Sequence, residues 1–458
     1  MSGDGDTVVD KAGALPRDTR HATPDTRHAT PDTPMTFHIE TLGCKANQYD
    51  SQRLAEALCG AGLEQAPDGE APDVWIINTC TVTHVSDRKC RQAIRRAVRE
   101  YPGARIFVTG CYATASPEDL HQIEGLDGIY PRDRFDDLLE AVTGGRGRAG
   151  KAMRGDFGVS GFEGRARAML KIQEGCDFFC NYCIVPHVRG EPRSMPLPEL
   201  RREARRLARS GFREIVLTGI HLGLYGREFG EEVDLAAAVR TVAETDGVGR
   251  VRLSSLEAME VTDGLLEVMQ HPAVCPHLHL PLQSGDDRVL ERMGRRYTTA
   301  EFRHAVRRIR EELERPAITT DVMVGFPGET DPQFDNTLRF CREVGFSRMH
   351  VFSYSPRSGT PAAEMEGRVH SRVAKERSKR LRQLGQKMAH EWAEKFVGRR
   401  VRVLLEEEKD GMLTGYSDRY VRVRARAGEE DLEQIRSLRV TGTAGGGLEG
   451  EIVSGAPV

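Results

Sequence analysis

The chain has 458 residues, a formal net charge of -3 and 39% hydrophobic residues. That balance gives no global nucleic-acid signature, suffices for packed cores and suggests two to four domains. No run of about 18 apolar residues marks a membrane span. No apolar signal region opens the chain, so its ten cysteines read as reduced and cytoplasmic, not as a secreted disulfide framework.

Residues 1–34 read as a disordered leader. The heptad DTRHATP occurs there twice in tandem, and the segment lacks an apolar period. An α/β pattern starts at residue 35. Strands are predicted over 36–41, 73–78 and 105–109, with helices over 50–59 and 85–101. This alternation implies a parallel sheet covered by helices, a three-layer N-terminal α/β domain over 35–145. Sites in such sheets form beyond the carboxyl ends of the strands. Cys44, Cys80 and Cys111 each fall within three residues of such an end. A lone buried cysteine is ordinary packing, but three at one topological position can converge on a metal cluster. Cys59 and Cys90 lie inside predicted helices and read as packing or surface residues. The Gly- and Arg-rich residues 146–165 read as a linker.

A second β/α series runs over 166–396. Its strands are predicted at 167–173, 214–218, 250–254, 277–281, 317–323 and 348–353, with helices between them, including 198–210 and 299–313. Six such units suggest a partial (β/α)6 barrel with its site at the C-terminal ends of the strands. The first strand feeds Cys176, Cys180 and Cys183, spaced C-x3-C-x2-C. A structural zinc loop and three unrelated thiols are the plainer readings. Structural zinc wants four ligands, usually in two pairs, and no second pair follows. Three soft thiolates on one loop instead suit a [4Fe–4S] cluster with one iron left open. The spacing, with aromatic Tyr182 before the third cysteine, resembles the radical S-adenosylmethionine (SAM) family.

SAM would need polar groups for its ribose and aminoacyl end and bare backbone for its adenine. Tyr182, Thr218, Gly219, Ser254, Glu257, Gln283 and Gly325, on loops after successive strands, are the candidates; loop capping is the alternative for each. Cys275 and Cys341 lack partners and read as structural. Residues 366–402 are basic with apolar residues at helical spacing, a long amphipathic helix whose charged face is either solvated or a contact surface. Residues 397–458 carry short strands, at 401–405, 414–416, 420–425 and 451–454, that fit a small β-barrel. Arg399, Arg400, Arg402, Arg422 and Arg424, with Arg419 and Arg426, interleave there with Tyr416 and Tyr420. That mixture suits single-stranded RNA, and a purely structural cap is the alternative.

The order of these parts resembles the radical SAM methylthiotransferase family over residues 35–456. Gly43-Cys44-Lys45-Ala46-Asn47-Gln48, Asn78-Thr79-Cys80 and Thr109-Gly110-Cys111 match its first cluster loops. Ile184-Val185-Pro186 to Arg189-Gly190, LHLPLQSG over 278–285, DVMVGFPGE over 321–329 and SYSPRSGT over 353–360 match later motifs. The resemblance implies an auxiliary [4Fe–4S] cluster on Cys44, Cys80 and Cys111, and a radical-generating one on Cys176, Cys180 and Cys183. It also implies two SAM per turnover, methylthio insertion at an unactivated C–H, and a C-terminal TRAM-like RNA-binding barrel. Its partners would be the tRNA anticodon stem-loop and an electron donor of flavodoxin or ferredoxin type; the sulfur source stays open. Lys45 and Asn47-Gln48-Tyr49 resemble the branch acting on threonylcarbamoyladenosine beside the anticodon, although Ala46 departs from its usual valine. The isopentenyladenosine branch and the ribosomal-protein branch are the alternatives.

Overall fold

The computed structural model describes residues 34–145, 158–162, 165–230 and 233–453. All but the last residue of the leader expected at 1–34 and much of the linker expected at 146–165 lie outside these residues.

The N-terminal sheet is built from β1 (Thr36–Thr41), β2 (Glu64–Gln65), β3 (Val74–Thr79), β4 (Arg105–Gly110) and β5 (Gly128–Tyr130). All pair in parallel, in the order β2-β1-β3-β4-β5. Central β3 is buried along its whole length, which is why VWIINT is a nearly continuous apolar run. Helices α1 (Lys45–Gly60), α2 (His84–Glu100), α3 (Cys111–Ala115), α4 (Pro117–His121) and α5 (Phe135–Thr143) complete the domain. Leu54 and Leu58 of α1 pack with Leu138 and Val142 of α5 on one face, while Cys90 and Ile94 of α2 pack with Tyr112 and Leu120 on the other. Helix α1 starts immediately after Cys44, five residues earlier than expected.

The core strands are β6 (Arg167–Lys171), the short β7 (Gln173–Glu174) and β8 (Arg193–Ser194), β9 (Glu214–Thr218), β10 (Arg250–Leu253), β11 (His277–His279), β12 (Ala317–Val324) and β13 (Arg348–Ser353). Apart from the β7–β8 pair, they form two parallel sheets, β10-β9-β6 and β11-β12-β13. Bridges Val251–Val274 and Ser255–His279 join the two into one open six-stranded wall. Helices α6 (Val185–Arg189), α7 (Leu197–Arg209), α8 (Leu235–Ala243), α9 (Asp263–Val268), α10 (Asp287–Arg292), α11 (Thr299–Glu312) and α12 (Asp331–Val344) lie between the strands. Their entries are chemically explicit: Thr298 and Glu301 form a capping box on α11. The α13 helix (Ser371–Glu394) packs on β13 and leads to the barrel.

The barrel closes in the order β14-β15-β16-β18-β17. Its strands are β14 (Arg400–Lys409), β15 (Met412–Ser417), β16 (Arg422–Arg426), β17 (Ile435–Ala444) and β18 (Gly447–Ile452). Val401, Val403, Leu405, Val423 and Leu438 fill it, while Arg400, Arg422, Arg424 and Arg426 alternate outward. The sequence did not announce β17. Its residues are largely charged or small, and a register shift between Val440 and Gly442 breaks the two-residue period. β18 also begins earlier than the expected 451–454. β16 starts at Arg422, not 420, because Tyr420 sits at φ +58° in a turn closed by Tyr420 N–H to Ser417 O at 3.0 Å. Among the described residues no helix is long and apolar enough to cross a membrane.

Candidate functional site

Cys44 precedes α1, Cys80 follows β3 and Cys111 opens α3, so the three N-terminal thiols stand at the carboxyl edge of one sheet. Asn47 organises them. Its amide nitrogen donates to Leu42 O at 2.8 Å and Thr79 O at 2.9 Å, tying the first loop to the second. Its Oδ1 lies 4.0 Å from Cys44 Sγ and 3.9 Å from Cys111 Sγ. Cys90 is fully buried and brackets Cys80, its sulfur 3.3 Å from Cys80 O and 3.4 Å from Cys80 N. It is a packing residue, as expected, that also steadies a candidate ligand.

Two core arginines reach into this edge. Arg189, 4% exposed, hydrogen-bonds Asn47 Oδ1 and lies beside Cys111. It also meets Glu174 at 3.1 Å and Asp50 at 3.4 Å, within a cluster completed by Lys171 and Arg132. Arg357 grips Asp87 and donates to Thr81 Oγ1 at 2.5 Å, next to Cys80. The core therefore braces two auxiliary loops directly.

Cys176, Cys180 and Cys183 share one loop between β7 and α6. Gly175 enters it at φ +79°, where a Cβ would lie 2.0 Å from Glu191 O, so only glycine admits this close crossing. Cys183 N donates to Cys180 O at 2.9 Å, folding the loop on itself. Two residues steady the thiols. His221 Nδ1 lies 3.4 Å from Cys176 Sγ, and its Nε2 is 2.6 Å from Glu260. Burial alone would lower the His221 pKa, but Cys176 and Glu260 outweigh it and lift it to about 9. Arg295 places Nη1 3.6 Å from Cys180 Sγ and pairs its other arm with Glu257.

Burial pushes the Cys183 thiol up to about 12 and raises Cys180, Cys80 and Cys111 as well. Thiols so placed ionise only beside a bound cation, which fits ligands and not free nucleophiles. Among the described residues no three His, Cys, Asp or Glu side chains close tightly enough on one point to hold a single ion. A cluster whose thiolates bind separate irons asks for wider spacing.

The residues expected to meet SAM divide. Ser254 Oγ and Gln283 Oε1 are buried without any hydrogen-bond partner. Gln283 is also held at φ +61° by its backbone bridge to β12. Unpaired buried polar atoms just past the carboxyl ends of β10 and β11 suit a polar ligand. Thr218 ends β9, 2% exposed, and Gly219 packs closely on Gln173. Glu257 is engaged by Arg295, and Tyr182 meets Phe326 edge-on at 6.4 Å. Gly325 has another occupation. It lies at φ +74°, and a Cβ there would sit 2.8 Å from Ala374 Cβ, so its bare backbone admits the close approach of α13.

The arginines expected to meet RNA divide as well. Arg399 and Arg400 are exposed. Arg422 and Arg424 are exposed but paired with Glu407 and Glu449. Arg402 is instead spent on the core, donating to Pro272 O at 2.9 Å and Gly249 O at 3.2 Å, and Arg419 likewise donates to Arg315 O and Glu314 O, each at 3.1 Å. Tyr416 stacks on Tyr420 at 4.8 Å, and Tyr420 on His277 at 4.8 Å. Both tyrosines border a cavity of about 610 Å³ shared with Arg348, His350, Arg382 and Arg422. A groove of about 1160 Å³ follows the basic face of α13. Asn47 and Arg189 entered the sequence reading only as members of motifs, and His221 and Arg295 had no assigned role; each of the four acts through neighbours remote in sequence.

Residues 170–341 match the Radical SAM superfamily, and residues 36–130 match uncharacterized protein family UPF0004. The protein of Bacillus subtilis (strain 168) named threonylcarbamoyladenosine tRNA methylthiotransferase MtaB is 38% identical over 423 residues, 89% of this chain and 93% of the relative. Its namesake in Thermotoga maritima is 37% identical, covering 89% and 96%. A Pelotomaculum thermopropionicum protein named tRNA-2-methylthio-N(6)-dimethylallyladenosine synthase is 35% identical, covering 82% and 87%. Among solved structures, the radical S-adenosylmethionine methyltransferase TsrM from Kitasatospora setae shares the fold, with a TM-score of 0.53 at 14% identity over 72% of this chain and 74% of that one. The chain belongs to the radical SAM methylthiotransferase family and is an enzyme of the tRNA methylthiotransferase type.

Proposed function

We propose that this enzyme adds a methylthio group to C2 of N6-threonylcarbamoyladenosine next to the anticodon of tRNA, in the cytoplasm. The observation that carries the reading is the joining of the two cysteine loops through one residue: Arg189 follows the radical SAM loop, pairs with Glu174 just before it, touches Asn47 and lies beside Cys111. An aromatic C–H has no useful acidity, so base catalysis alone cannot open it. Bound SAM and two [4Fe–4S] clusters would supply the radical and the methylthio sulfur.

The chain's own residues hold and orient. Cys176, Cys180 and Cys183 would hold one cluster, with His221 and Arg295 fixing two of those sulfurs. Cys44, Cys80 and Cys111 would hold the other, with Asn47, Arg189 and Arg357 setting its loops. Ser254 and Gln283 offer unpaired oxygens to SAM. The exposed arginines of the barrel and the basic groove of α13 would bind the stem-loop backbone, with a one-electron donor docking elsewhere.

Relatives named for dimethylallyladenosine match at 35%, so that nucleoside is the second reading. Nucleoside mass spectrometry of tRNA from strains with and without the gene decides. Loss of the methylthio-threonylcarbamoyl nucleoside is expected. Loss of the methylthio-isopentenyl nucleoside instead would overturn the substrate.

A further inference from the structure

We propose that Lys45 reads the charge of the substrate, holding a carboxylate borne by the N6 substituent of the adenosine. This deepens the threonylcarbamoyl reading and rests on it.

A closed barrel of parallel strands fills its interior with branched aliphatic side chains. The open wall of this core carries charged ones, and its anions are already matched. Glu214 of β9 is shared by Arg250 at 2.5 Å and Arg252 at 2.7 Å. Asp321 of β12 is shared by His279 and His350, each at 3.3 Å. Arg167 of β6 takes Glu406 of the barrel at 2.6 Å.

Lys45 has no such match. It is the first residue of α1, beside Cys44, and only partly exposed. The charged groups around it are Arg167 and Arg252, Glu214, already bound by two guanidinium groups, and the adjoining Cys44 thiol, a candidate cluster ligand. It makes no hydrogen bond or ion pair with a described residue. The nearby guanidinium groups are taken by Glu406 and Glu214, so the half-buried ammonium keeps its own donors for an incoming anion.

The substituents named among the relatives differ in this respect. Dimethylallyl is a hydrocarbon and brings no charge. Threonylcarbamoyl ends in a carboxylate and supplies the missing anion. Because Lys45 adjoins Cys44, the residue that binds the substituent also draws the base toward the auxiliary loop.

The test measures binding of synthetic anticodon stem-loops, by fluorescence anisotropy at fixed ionic strength, to full-length protein reconstituted anaerobically. The stem-loops carry unmodified adenosine, threonylcarbamoyladenosine, its methyl ester or isopentenyladenosine. Wild type is expected to bind the acid roughly tenfold more tightly than the ester, the scale of one charged hydrogen bond. Lys45→Met should erase that difference while keeping the affinity for the unmodified stem-loop, which also shows that the variant is folded. An acid-over-ester preference that survives in Lys45→Met, or no preference in wild type, overturns the inference. The substrate reading fails separately, if turnover with wild type methylthiolates the isopentenyl stem-loop and not the threonylcarbamoyl one.

Discussion

Gly43 shows how one residue sets the auxiliary loops. It lies at φ +118°, and a Cβ there would stand 2.7 Å from Cys80 Cβ and 3.1 Å from its sulfur. Alanine would suffer both the strained backbone and a displaced thiol, about 1–3 kcal/mol together. On the two-cluster proposal, Gly43→Ala is therefore expected to lower iron after anaerobic reconstitution from about eight to about four per chain. The surviving iron should still support SAM cleavage, read as 5′-deoxyadenosine. Unchanged iron would show that Gly43 does not shape a cluster site. The cysteines themselves were legible, because thiols at fixed spacing or at strand ends are rare by chance. Their supports were not. Arg189, His221 and Arg295 come from separate elements, and only the tertiary path brings them to sulfur.

At the scale of elements, helices and parallel strands announced themselves within a few residues, since their apolar period follows directly from burial. The barrel was harder to read. β17 hides behind a register shift, and the arginines at the start of β14 look alike in sequence although they do different work. Arg399 and Arg400 face solvent, whereas Arg402 fastens β14 to carbonyls of Pro272 and Gly249. The two classes separate experimentally. Replacing Arg399 and Arg400 by alanine should flatten the salt dependence of tRNA binding by roughly 1–1.5 in log–log slope, with little change in stability. Arg402→Ala should leave that slope unchanged and lower the unfolding free energy by about 1 kcal/mol. A shallower slope in Arg402→Ala would return that residue to the RNA face.

At the scale of the molecule, Glu214 is the hub that fixes barrel to core. It is fully buried, and the arginines it holds reach across the seam. Arg250 continues to Tyr416 O at 2.8 Å, and Arg252 to Ser417 O at 2.9 Å and Asp418 O at 3.0 Å. Burial alone would raise the Glu214 carboxyl, but Arg250, Arg252 and Arg167 outweigh it and hold it well below the usual range. A depressed folded pKa adds stability at any pH above the unfolded value, near 4.3. That contribution shrinks as pH falls below the unfolded value and is gone once pH has fallen through the folded value. Glu214→Gln strands two buried guanidinium groups and should cost about 3–5 kcal/mol at neutral pH. Denaturant unfolding of both proteins from pH 3 to 8 checks this, with Trp392, which packs against the barrel interior, as the reporter. The gap between wild type and variant should stay constant above about pH 5 and narrow only in acid. A gap that opens toward low pH would reverse the sign and remove Glu214 as the hub of the seam.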